Sequence, residues 1–251
     1  MSRQVRRWVA MGVLGAVLAT AFVLLGRWQL DRLDERRTQN ATVQAHTALP
    51  VVPYSEVMDG VIEDDDQWFR VSATGTYEPE QFQLRYRSLD GAYGSEVFGV
   101  LNTSSGYVLI NRGFLPRQPG FPDGEMPPAA GGEVTVTGYV RRNMRGDDNS
   151  KTPHEGQLRT IDSEFIGAAI GEDLTDGYIQ LIESTPPETD VLTPLGEPSL
   201  DEGNHLSYAL QWFAFTIIGV VGMGVLIRGD IRDRAKARAR ASAAADTHAP
   251  A

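Results

Sequence analysis

His205, Tyr208 and Trp212 stand at i, i+3 and i+7 of the segment NHLSYALQWF (residues 204–213), so on a helix they share a face. A neutral imidazole coordinates metal through a ring nitrogen, and two aromatic rings beside it can flank a flat apolar group. The same three residues equally suit a bilayer edge, where amphipathic rings collect. Trp28 reads the same two ways, as a flanking ring or as an interfacial anchor. Its neighbours Arg27 and Arg32 can pair with carboxylates or with lipid phosphates. A third group, Asn111-Arg112-Gly113, has the chemistry of a turn, with a glycine for positive φ and an asparagine to cap backbone groups. Its Arg112 can also take a partner's carboxylate.

Other polar clusters carry less. Glu63-Asp64-Asp65-Asp66 lacks the spaced ligands and glycine of a calcium loop and reads as a solvated loop. His46, His154 and His248 have no partner at ligand spacing. The chain contains no cysteine, which excludes disulfides, thiolate zinc, iron–sulfur clusters, covalent c-type haem attachment, a cysteine nucleophile and thiolate copper delivery. The strings G-x-x-x-x-G-K-[ST], G-x-S-x-G and H-E-x-x-H are missing too. The chain reads as a non-enzyme.

What positions these residues is a pair of apolar segments. Trp8–Gly26 runs 19 residues and Leu206–Ile227 runs 22, both without a charge, and about 20 apolar residues cross a bilayer. The net charge of -10 divides around them as +3 before the first, -16 between Gly26 and Asn204, and +3 after the second. Positive flanks stay cytoplasmic. The expected organisation is a cytoplasmic N-terminus (1–7), a first transmembrane helix (8–26), an extracytoplasmic domain (27–204), a second transmembrane helix (205–227) and a cytoplasmic basic tail (228–251). The location is then the cytoplasmic membrane, with both termini inside and no nucleic-acid partner. A cleaved signal peptide ending near Ala19-Thr20-Ala21 is the competing reading. Five further apolar residues after that point argue for an uncleaved anchor. Small residues at Gly12, Ala16 and Thr20, with Gly15 and Ala19 beside them, predict close helix approach, as do Gly219, Gly222 and Gly224.

Between the spans the periodicity is two, with turns between the runs. Strands are expected at 68–77, 81–87, 95–101, 106–114, 133–142 and 178–183, in an antiparallel sheet. Within 81–87, Phe82, Leu84 and Tyr86 should share one face. The proline-dense 115–132 must be a loop. Asp162 should cap a short helix carrying Ile161, Phe165, Ile166, Ala169 and Ile170 on one stripe, and residues 30–48 should continue the first span as a polar helix. The alanine-rich tail from 235 reads as disordered, with an amphipathic basic helix at most near 230–240. The fold class is therefore an α+β membrane protein, two transmembrane helices flanking a β-dominated extracytoplasmic domain.

Several segments resemble the Surfeit locus protein 1 family. Leu25-Gly26-Arg27-Trp28-Gln29-Leu30-Asp31-Arg32 is similar to its L-G-x-W-Q-x-x-R signature, and Arg70-Val71 with Gly75 to R-V-x-x-x-G. Residues 108–116 (VLINRGFLP) resemble V-L-V-N-R-G-W-V-P, 134–141 the V-x-G-x-x-R strand, and 204–213 N-H-x-x-Y-A-x-T-W-F. Phe114 replaces the usual tryptophan and Gln211 a common threonine. The resemblance implies an assembly factor for a haem a-containing cytochrome c oxidase, assisting haem a delivery to subunit I. His205 would be the transient iron ligand, with Tyr208, Trp212 and Trp28 around the porphyrin and Arg27 or Arg32 near its propionates. Asn111 and Arg112 would face a partner. The implied partners are subunit I, a haem a synthase and membrane lipid. The alternative is a protein-only scaffold or a stable accessory subunit that binds no haem.

Overall fold

The computed structural model describes residues 3–117 and 125–246. In chain order the elements are α1 (Arg3–Thr47), β1 (Val52–Pro53), β2 (Arg70–Leu89), β3 (Ala92–Thr103), β4 (Gly106–Pro116), β5 (Glu133–Arg141), α2 (Asp148–Lys151), β6 (Gln157–Leu158), α3 (Ser163–Ile170), β7 (Tyr178–Thr185) and α4 (His205–Asp246). They form two compact units, one of residues up to Asn40 and from Leu200 onward, the other of Ala41–Ser199.

The first unit is helical. α1 and α4 each contain a window long and apolar enough to cross a membrane, within Val5–Thr47 and His205–Arg240. Their apolar side chains are largely exposed: Val13, Leu14, Val17 and Leu24 on α1, and Ile217, Ile218, Val221 and Val225 on α4. As expected, α1 runs on through the polar 30–47. The tail departs from expectation, because α4 stays helical to Asp246. Alanine and arginine are strong helix formers, and Arg234 pairs with Asp230 one turn back at 2.5 Å. His248 lies outside the described residues.

The second unit is a closed barrel. β2 pairs with β3, β3 with β4, β4 with β7, β7 with β5, and β5 returns to β2 through Arg70↔Tyr139 to Thr76↔Glu133. Among the expected strands the antiparallel order holds except between β4 and β7, which run parallel through Ile110↔Ile179; the two-residue β1 and β6 also pair parallel with β2. Residues 68–77 and 81–87 merge into one strand, β2. Its first half is bordered by β5 and its second half by β6. Tight coiling needs a small residue where strands press together: a Cβ on Gly138 would lie 2.3 Å from the Gln180 carbonyl oxygen, at the register shift between β5 and β7.

Both faces of the barrel wall are covered. Val108 and Ile110 of β4 join Val71, Val136 and Ile179 in one apolar cluster. Their neighbour Leu109 faces the other way, with Phe82, Leu84 and Phe98, onto Ile161 and Ile166 around α3. Asp162 caps α3, its carboxylate accepting from the Glu164 N–H at 3.1 Å. Ala169 is exposed, and Gly167 takes the buried place on the stripe. Tyr86 also departs from expectation: it has φ +60° at a register shift between Leu84 and Arg87, which turns it outward to 72% exposure. Gln83 is correspondingly buried and donates to Ser95 at 2.7 Å.

Candidate functional site

Leu33 and Ala209 are buried in the helical unit, where side chains are otherwise mostly exposed. On α1, Gly26, Gln29 and Leu33 recur at i, i+3 and i+7. On α4, His205, Ala209 and Phe213 recur every four residues, so each set forms one stripe. Gly26 lies against Phe213: a Cβ there would stand 2.7 Å from the ring. One turn along α1, Gln29 reaches the other helix. Its Oε1 is 2.8 Å from His205 Nδ1. An amide oxygen only accepts, so with that oxygen facing the ring a neutral imidazole donates from Nδ1 and keeps its lone pair on Nε2. Among the described residues Nε2 has no hydrogen-bond partner. Gly203 leaves room beside it, since a Cβ there would lie 3.5 Å from Nε2.

The aromatic residues divide. Tyr208, on the turn after His205, is 49% exposed and free to face a ligand. Trp212 is half-buried, its ring packed against Phe22 at 5.5 Å and Phe215 at 5.9 Å. Trp28 is 53% exposed, pointing away from the stripe that carries Gln29. Arg27 is also exposed, and Arg32 is held by Glu35 one turn on. Of the expected small-residue contacts, Gly15 meets Met223 of α4, at 3.1 Å from a Cβ. A Cβ on Gly12, Gly219, Gly222 or Gly224 would meet no other element within 4 Å among the described residues.

The partner-binding expectation for Arg112 and Asn111 is corrected by the barrel. Arg112's side chain is fully buried. Nε and Nη2 clasp Glu188 at 2.8 and 2.6 Å, Nη1 donates to Gln81 and to the Pro127 carbonyl, and Nη2 donates to the Pro128 carbonyl. Five N–H donors meet five acceptors, so nothing remains for a partner's carboxylate. Asn111 donates to Glu96 at 2.6 Å and accepts from the Gly113 N–H at 3.2 Å. The turn expected at Asn111-Arg112-Gly113 is also corrected: all three residues lie within β4, and Gly113 has φ +141° at the register shift against Val97 and Phe98 of β3.

Two residues read as bland have defined partners. His46 sets Nδ1 2.8 Å from the Gln67 carbonyl oxygen and stacks on Phe69 at 3.9 Å. The acidic run 63–66 is no plain loop: Asp64–Asp66 is a 3-10 turn closed by a reciprocal Glu63–Asp66 capping box, and Asp64 pairs with Arg142 at 2.5 Å. Arg141 stacks over Trp68 at 3.8 Å, and burial there holds its guanidinium below the usual arginine value. Sequence reasoning left Gln29, Gly26, Leu33 and Ala209 out of the site. The signal was the i, i+3, i+7 stripe on α1, which was overshadowed by the charges and rings beside it.

Comparison with known proteins gives a consistent answer. The model of the SURF1 family matches residues 16–217. SURF1-like proteins of Mycobacterium bovis and Mycobacterium tuberculosis are each 31% identical over 240 residues, covering 92% of this chain and 88% of theirs. A SURF1-like protein of Rickettsia conorii is 25% identical over 210 residues, covering 80% of this chain and 85% of its own.

Proposed function

The chain belongs to the SURF1 family, whose role is in cytochrome c oxidase assembly, and we propose that it serves that assembly from the membrane by holding haem a on its way to subunit I. α1 and α4 are its spans. Exposed apolar side chains all round a helix are costly in water and at home in lipid. The charge division of +3, -16 and +3 puts both termini in the cytoplasm and the barrel outside.

The observation that carries the haem reading is the state of His205. It opens α4, its Nδ1 is held by Gln29 at 2.8 Å, and Nε2 faces no protein donor among the described residues. One imidazole with an open side and an exposed Tyr208 fits a flat iron-bearing group held for transfer rather than enclosed. When bound, haem a would supply iron that takes a nitrogen ligand, and His205 would be the residue that holds it. Tyr208 would cover part of the porphyrin, Trp28 and Arg27 lie on the exposed surface of α1, and Arg32 would reach a propionate only by leaving Glu35. Trp212 contributes by packing the helices. The protein turns over no substrate in this reading.

A strain lacking the gene tests the assembly role. Haem a oxidase activity and its absorbance in membranes should fall several-fold and return with the wild-type chain. Unaltered oxidase activity would overturn the proposal.

A further inference from the structure

Across the helical unit the two stripes meet: Gly26 admits Phe213, Gln29 reaches His205, and Leu33 and Ala209 on the same stripes are buried. The two side chains therefore meet where both backbones are already fixed by packing. A glutamine at this point can do one thing for a histidine that an apolar residue cannot, which is to choose its tautomer. In water a histidine side chain favours the proton on Nε2, the nitrogen a metal would need. The 2.8 Å contact from Nδ1 to the Gln29 carbonyl oxygen reverses that preference. Metal-ligating histidines in general donate their second ring N–H to an acceptor that sets tautomer and ring orientation.

We propose that Gln29 is a positioning residue that holds His205 as the Nδ1–H tautomer and so presents Nε2 as the ligating atom. The ligand role rests on the haem reading above; the tautomer assignment does not. Gly203 has the complementary part, leaving the approach to Nε2 open.

The test is nitrogen-15 NMR of histidine-labelled full-length protein in nanodiscs, purified from cells that make no haem a. The His205 signal is assigned by its loss in His205→Asn. The wild type should show Nδ1 protonated and Nε2 unprotonated. Gln29→Leu should move His205 toward the Nε2–H form, and Gln29→Glu, which keeps an acceptor, should restore the wild-type pattern. In haem-loaded preparations Gln29→Leu should cut haem retention about 10- to 100-fold, with Gln29→Glu close to wild type. Thiol cross-linking of a Gly15→Cys, Met223→Cys pair in the Gln29→Leu background shows that the helices still meet. An Nε2–H tautomer in the wild type, or no tautomer change in Gln29→Leu with the helices still cross-linking, overturns the proposal. An Nδ1–H wild type that never takes haem overturns the haem reading and the ligand role together, while the tautomer assignment stands.

Discussion

Gly26 and Phe213 are in such close contact that any side chain at residue 26 must displace the ring: a Cβ there would lie 2.7 Å from the ring carbon Cε1. That contact sets how closely α1 and α4 approach, and so whether Gln29 reaches His205.

Gly26→Val should therefore push the helices apart, at about 1–3 kcal/mol for overpacking. A short bifunctional thiol reagent checks it. Cross-linking between Gly15→Cys and Met223→Cys, in a chain with no other cysteine, should be efficient when Gly26 is kept and fall sharply when Gly26→Val is added. Equal yields would show that the glycine is dispensable.

Arg112 and Glu188 hold the barrel to the 184–194 segment. Removing one partner of a buried ion pair strands the other, so Arg112→Ala should cost about 3–5 kcal/mol. Arg112→Lys should rescue little, because three donors on one nitrogen do not replace a five-donor fork. Thermal unfolding in detergent reads this. An Arg112→Ala chain that melts like the wild type but no longer captures subunit I would restore the partner-binding role.

Burial raises the phenols of Tyr77 and Tyr178 above the ordinary 10.0. The unfolded chain then loses these protons first. Their contribution is present below pH 10.0 and is lost as pH climbs toward the folded values. Ultraviolet titration of tyrosinate should show part of the eight tyrosines ionising late, together with unfolding. A single ordinary titration of all eight would contradict the burial.

Reporter fusions after Arg240 and within the loop at Asp90-Gly91 test orientation. The first should be active only as a cytoplasmic reporter and the second only as an extracytoplasmic one. The opposite pattern would remove the positive-inside reading.

How far the sequence could be read depended on how local each determinant was. Both long helices, every main strand and the Asp162 cap were legible, because their signals lie within a few residues of one another. Closure of the barrel was not: the β2–β5 and β4–β7 pairings join distant segments, and β4 is buried on both faces, which erases its alternation. Tyr86 escaped because a bulge is one inserted residue inside an otherwise regular pattern. Arg112 misled because its partners, Gln81, Pro127, Pro128 and Glu188, are far apart in the chain, leaving its charge looking free. At the helical site His205 was evident from residue type. Gln29 needed the register between two helices, which no single segment contains. The motif residues now divide by role: Gly113, Gly138, Arg112 and Arg141 hold the barrel, whereas Gly26, Gln29 and His205 converge between α1 and α4.

The central claim is that His205 holds haem a. The visible spectrum of full-length protein purified from cells making haem a tests it most directly. The wild type should show an oxidase-type haem a absorbance that disappears in His205→Ala while that variant still inserts and its barrel still folds. Wild-type protein that carries no haem a yet still captures subunit I would contradict it and leave a protein-only scaffold.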